Sequence, residues 1–283
     1  MRLLRVGEIG SERPAALLDD DRLVDCSRIV SEFDNSFFSS GSFDELAKIS
    51  ASGVLPELDI STLRIGAPVA KPEKIVCVGL NYTDHAAETG AEPPEEPILF
   101  LKVPGTLIGP NDDVLIPRKS TKTDWEIELA VVIGRQAHYL ASIDNALEYV
   151  AGYSISNDVS ERSFQLERGG TWDKGKGCAT FNPCGPWLLT SDEVPDPQDI
   201  GLRLSVNGVE RQNGNTANMV FSVEYLIWYI SQFMVLEPGD IINTGTPAGV
   251  SQGHDQINFL VPGDVMELEA DGLGAQRQVL RSA

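Results

Sequence analysis

The residues able to do chemistry gather in Asp124-Trp125-Glu126-Ile127-Glu128, followed at once by the apolar run Leu129 to Ile133, and in Asn157-Asp158 further on. Side chains alternate faces on a strand, so Glu126 and Glu128 project from the same side. Two like charges at the edge of a core repel each other and lose hydration. A hard divalent cation compensates both costs, and Asp158, at the end of a neighbouring strand, is the candidate third carboxylate. Oxygen-only ligands of this kind suit Mg²⁺, Mn²⁺ or Ca²⁺. The competing reading is a solvated strand face.

A second constellation lies upstream in Asn81-Tyr82-Thr83-Asp84-His85-Ala86-Ala87-Glu88. His85 and Glu88 are spaced to share one face of a short helix capped by Thr83 or Asp84. A carboxylate there can orient the imidazole and raise its basicity. The following stretch, 90–97, is rich in proline and glutamate and reads as a mobile lid. Lys174 and Lys176 sit among glycines, which permit close backbone approach to a ligand. Thr244-Gly245-Thr246-Pro247-Ala248-Gly249 offers hydroxyls and backbone N–H groups to an anion. It lacks the lysine and spacing of a phosphate-binding P-loop. No Gly-x-Ser-x-Gly elbow occurs and no cysteine has a local histidine, so a covalent nucleophile is not supported.

The elements around these residues alternate β-rich and short helical pieces. Strands are expected at 74–80, 98–103, 114–117 and across the two acidic stretches. A type I′ hairpin is expected at Asn207-Gly208, an amphipathic helix at 223–233, and a last hairpin around Gly272 and Gly274. The long polar segment 161–177 reads as functional rather than connecting. Residues 1–70 carry no catalytic constellation and read as a small β-rich N-terminal domain before a catalytic domain at 71–283. Strands outnumber helices, giving an α+β class with a mixed or rolled sheet.

The 42 acids against 22 bases leave a net charge of −20. That argues against nucleic acid or an anionic membrane as partner, since both require a basic face. The four cysteines form neither a zinc pattern nor a disulfide scaffold and read as reduced thiols of a cytoplasmic protein. The N-terminus is too soon interrupted for a signal peptide, and no apolar run reaches membrane length.

Taken together and in order, these motifs resemble the fumarylacetoacetate hydrolase family over about residues 72 to 255. They are Gly79-Leu80-Asn81-Tyr82 with His85 and Glu88, Phe100-Leu101-Lys102, Trp125-Glu126-Ile127-Glu128, Asn157 to Arg162 with Gln165, Trp172 with Lys176, and Thr244-Gly245-Thr246-Pro247. The resemblance implies a β-roll-like catalytic fold, a homodimer, and Mg²⁺ or Mn²⁺ held by Glu126, Glu128 and Asp158. It implies a small-molecule substrate whose 2-oxo acid end chelates the metal. It also implies His85 and Glu88 as the water-activating pair, Lys176 as the cation facing developing charge, and Arg162, Gln165, Thr246 and Lys102 as substrate contacts. Asn81, in place of the aspartate of the founding hydrolase, and the compact His85-x-x-Glu88 are similar to the acylpyruvase branch. Phe164 to Trp172 resembles bacterial enzymes acting on 2,4-diketo-3-deoxy sugar acids such as the L-rhamnonate. The expected reaction is hydrolysis of a C–C bond in a 2,4-dioxo acid to release pyruvate. Oxaloacetate decarboxylation, isomerisation of an unsaturated 2-oxo diacid, and a catalytically silent metal-binding scaffold are the alternatives.

Overall fold

Two strands of mostly apolar and small residues form the centre of the molecule. Ile127–Ile133 and Val150–Asn157 are buried along their whole length and pair antiparallel, with Ile127 opposite Asn157. Burial on both faces explains why the sequence there shows no clean polar alternation. The computed structural model describes residues 1–90, 92–253 and 258–283.

Around this pair the large sheet is mixed. Ile241–Asn243 adds antiparallel to Ile127–Ile133, Ile75–Gly79 adds parallel to Ile241–Asn243, and Ile98–Lys102 closes that edge. On the other side Asn182–Thr190 pairs with Val150–Asn157. A separate five-stranded sheet contains Val114–Ile116, Gly201–Val206, Val209–Asn215, Val265–Ala270 and Gly274–Ser282. The expected α+β class with a mixed sheet is what the chain adopts.

The faces of Ile127–Ile133 part into two cores. Ile127, Leu129, Val131 and Ile133 pack toward the cluster that holds Leu202, Leu204, Met266 and Leu268 of the five-stranded sheet. Ala130 and Val132 pack into the cluster that holds Phe33, Phe37 and Phe38 of the N-terminal segment. Glu128 and Glu126 continue this second face, so one row of alternate side chains passes from apolar core to acidic site.

The N-terminal segment is not a separate layer. Arg2–Val6 pairs with Asn182–Thr190 at Arg2↔Leu189 and carries Arg13–Leu17 and Leu23–Asp25 into the large sheet. Its phenylalanines share a core with Ile75, Cys77 and Ala130. Strands and core contacts thus run across the expected boundary near residue 70.

Local signals held where they were backbone-encoded. Asn207 and Gly208 both have positive φ, 52° and 74°, as a type I′ turn requires. The helix expected at 223–233 spans Val223–Ser231, capped by the Ser222 hydroxyl. In 161–177 two short helices appear, Arg162–Leu166 and Asp173–Lys176. Neither is long enough to show periodicity in sequence. The helix Thr83–Thr89 departs from expectation at its start: Tyr82 is the cap residue and no side chain caps it. Asp84 instead accepts the adjacent His85 N–H at 2.8 Å, and Thr83 Oγ1 reaches toward Asn218 O at 3.4 Å. No helix among the described residues is long and apolar enough to cross a membrane.

Candidate active site

The register of the central pair brings the acids together. With Ile127 opposite Asn157, Glu126 and Asp158 stand one step beyond the paired ends, and the Asp158 N–H donates to Glu126 O at 2.9 Å. Two uncharged side chains fix the turn into the strand. Asn157 Oδ1 accepts the Glu126 N–H at 3.2 Å, and Gln212 Oε1 accepts the Ile127 N–H at 3.0 Å. Glu126, Glu128 and Asp158 each offer a carboxylate oxygen within 4.8 Å of the others, and all three are buried.

Cations crowd this cluster unevenly. Lys176 Nζ bridges Glu126 at 2.7 Å and Asp158 at 2.8 Å. Arg162 lies 2.6 Å from Glu126 and 2.8 Å from Asp124. Glu128 accepts the Gly245 N–H at 2.8 Å, but no cationic side chain pairs with it among the described residues. The carboxyls diverge accordingly. Burial is the largest influence on Glu126 and raises it, yet Lys176 and Arg162 outweigh burial and hold it down at about 2. Burial, then the charges of Asp158 and Glu126, push Glu128 well above the ordinary carboxylate range. For Lys176, burial opposes the charge, but Asp158 and Glu126 overcome it and raise the ammonium to about 12.

This donor set fits a hard divalent cation. The oxygens converge, one acid is pushed upward by burial and by its like-charged neighbours, and an ammonium already bridges the other two. A cation placed there would oppose that shift and favour the charged form of Glu128.

His85 and Glu88 meet as the spacing predicted. His85 Nδ1 is 3.3 Å from Glu88 Oε2, and the Gly249 N–H donates to both Glu88 oxygens at 3.0 Å. Gly249 has φ +107°, and a Cβ there would lie 1.9 Å from Arg211 O. Gly249→Ala must therefore shift the backbone that holds Glu88. We expect it to lower stability by about 2–4 kcal/mol and slow turnover more than it weakens metal binding. Thermal unfolding, calorimetric metal titration and steady-state kinetics on the same preparation check this.

The loop 244–249, read from sequence as a cradle for a ligand anion, directs two of its N–H groups at the protein's own acids, Glu128 and Glu88. The Thr246 hydroxyl is likewise committed, donating to Ile127 O at 2.8 Å and accepting from Gln212 Nε2 at 2.7 Å.

A cavity of about 240 Å³ opens over Glu126 and Glu128. His85, Glu126, Glu128, Arg162, Gln165, Lys176 and Thr246 all line it. Lys102 does not. The structure places it behind Asp158, donating to that carboxylate, to Val159 O at 3.1 Å and to Phe181 O at 2.7 Å. An ammonium has three N–H groups and all are engaged, so Lys102 is a buried counter-ion rather than a substrate contact. Lys174 also lies apart, donating to Arg168 O at the surface.

Close packing sets the two short helices. A Cβ on Gly175 would lie 2.5 Å from Gln165 Cβ and 2.5 Å from Glu161 O, so glycine lets the helix of Lys176 press onto that of Arg162. The Trp172 ring fills the space a Cβ on Gly79 would need and meets Phe100 edge-on at 5.3 Å.

With this geometry in place, the fumarylacetoacetate hydrolase C-terminal family model matches residues 74–281. The chain belongs to the fumarylacetoacetate hydrolase family. A Burkholderia ambifaria protein bearing the provisional name of a hydrolase is 49% identical over 284 residues, covering all of both chains. Among solved structures, 2-hydroxyhepta-2,4-diene-1,7-dioate isomerase of Mycobacterium marinum is 32% identical, with TM-score 0.78, covering 100% of this chain and 98% of the other. Maleylpyruvate hydrolase of Sphingobium sp. SYK-6, solved with manganese(II) and pyruvate, is 28% identical with TM-score 0.82 over the whole of both chains.

Asp124 and Gln212 escaped the sequence reading. Asp124 receives Arg162 and the N–H groups of Ser251 and Gln252 at 2.8 and 3.1 Å. Its signal was present: it precedes Glu126 and Glu128 at the same alternate spacing. Gln212 left none, because a glutamine in a polar hairpin is ordinary until the fold turns it inward. His254 lies outside the described residues.

Proposed function

We propose that this protein is a divalent-metal-dependent hydrolase that cleaves a C–C bond in a 2,4-dioxo acid and releases pyruvate. The observation that carries the reading is the convergence on one cavity of Glu126 and Glu128, which Asp158 backs, of His85, which Glu88 orients, and of Lys176. Mg²⁺ or Mn²⁺ on Glu126, Glu128 and Asp158 would bind the carboxylate and 2-oxo group and draw electrons from the pyruvyl half.

His85, steadied by Glu88, takes a proton from water as the water oxygen adds to the C4 carbonyl. Lys176, an ammonium at neutral pH, faces the oxygen that becomes negative. The C3–C4 bond breaks with its electron pair passing to C3, a proton returns to C3, and pyruvate and a carboxylic acid leave. Arg162 and Gln165 hold the substrate's polar end. A 2,4-diketo-3-deoxy sugar acid such as the L-rhamnonate is the proposed substrate, and a cytoplasmic homodimer the proposed form. The relation to a diene-dioate isomerase supports a second reading, proton shuttling without water attack.

Pyruvate release from acetylpyruvate and from the 2,4-diketo-3-deoxy-L-rhamnonate, with Mg²⁺ and with EDTA, separates these readings. EDTA-sensitive release, faster from the sugar acid, is the expected result. Proton exchange or double-bond migration without cleavage moves the assignment to isomerase.

A further inference from the structure

The cavity has a charged floor and largely apolar walls. Beside the triad the walls are Val78, Leu80, Phe100, Leu166 and Trp172. Among the described residues the lysine and arginine side chains lining it are Arg162 and Lys176, and both are committed to Asp124, Glu126 and Asp158. Nearby basic groups turn elsewhere: Lys174 donates to Arg168 O, and the Arg168 guanidinium lies 4.7 Å over the Phe164 ring.

The charges at the floor are nearly matched. Asp124, Glu126 and Asp158 are answered by Arg162, Lys176 and Lys102, and Glu128 alone is left over. A divalent cation carries two charges. One would answer Glu128 and the other a single substrate carboxylate. A second carboxylate beside Leu166, Phe100 and Trp172 would meet apolar carbon, and an unpaired charge taken out of water is costly. The amides of Gln165 and Gln252, both at the cavity, suit a hydroxyl or carbonyl instead.

We propose that the substrate's second arm is uncharged, an alkyl or hydroxyalkyl acyl group enclosed by Leu166, Phe100 and Trp172, so that the site takes 2-oxo monoacids in preference to 2-oxo diacids. This rests on the metal-dependent 2-oxo acid reading above, and it separates the protein by substrate charge from enzymes of dioate substrates. Leu166 is the selecting residue, since it is 45% exposed and a longer basic side chain there has room to reach a distal anion.

The test is calorimetric binding of 2-oxohexanoate and 2-oxoadipate, equal in chain length, to the full chain with saturating Mg²⁺. The monoacid is expected to bind at least ~10-fold more tightly. Leu166→Arg, at a half-exposed position that tolerates the change, is expected to shrink or invert that ratio. Equal or tighter binding of 2-oxoadipate by the unaltered protein overturns the proposal, as does a ratio that Leu166→Arg leaves unmoved. Acylpyruvates that bind but are not cleaved would defeat the hydrolase reading while the binding ratio still decides this one. Binding of neither acid with Mg²⁺ removes both.

Discussion

Glu128→Gln is expected to abolish turnover and weaken Mg²⁺ or Mn²⁺ binding by more than ~100-fold, while making the metal-free protein more stable. The combination is diagnostic because it sets one residue's binding role against its folding cost. Glu128 is buried beside two other acids and accepts the Gly245 N–H. Glutamine keeps an oxygen for that N–H and removes the charge. The gain at pH 7 should be on the order of 1–3 kcal/mol, the usual scale for an unmatched buried carboxylate.

The pH dependence gives a second readout. A carboxyl raised above its ordinary 4.5 contributes stability fully below that value and loses it as pH rises through the folded value, so metal-free protein should weaken toward neutral pH through Glu128. Glu126 runs the opposite way: lowered to about 2, it contributes stability above 4.5 that is lost as pH falls toward 2. Glu128→Gln should erase the neutral-side loss and leave the acid-side loss. Urea midpoints between pH 4.5 and 8, with and without Mg²⁺, measure this. A metal-free variant less stable than its parent at neutral pH, or one that keeps full metal affinity, would show that Glu128 is an ordinary structural acid.

His85→Ala should slow turnover by ~10²–10⁴-fold with metal binding intact. The ring sits on the cavity wall, 3.3 Å from Glu88, and is not a member of the acid triad. Glu88→Gln should cost less, since it keeps an oxygen toward the ring and loses only the charge that raises basicity. Matched calorimetric and kinetic titrations distinguish the outcomes. A His85→Ala enzyme of unaltered rate would remove histidine from the chemistry. Loss of rate together with loss of metal would make its role structural.

Much of this is legible in the sequence. Glu126-x-Glu128 at strand spacing before an apolar run gave a shared face, and period-two alternation is local enough to survive folding. His85 and Glu88 met because helical spacing is equally local. The type I′ hairpin at Asn207-Gly208 followed from backbone chemistry alone.

Long-range register decided the rest. Spacing in sequence could not bring Asp158 level with Glu126; the antiparallel pairing of Ile127 with Asn157 did. Lys174 and Lys176 read alike in sequence, yet packing on Gly175 buries one among acids and leaves the other at the surface. Lys102 looked like a substrate contact and became the counter-ion behind Asp158, because the Val159 and Phe181 carbonyls claimed its remaining protons. The pairing of Arg2–Val6 with Asn182–Thr190, far apart in sequence, likewise had no local signal. By itself the sequence determined which chemical groups are present and which neighbours share a face, since those depend on backbone period. The tertiary structure decided which charges are matched and which are left for a metal, since pairing across the fold has no period to read.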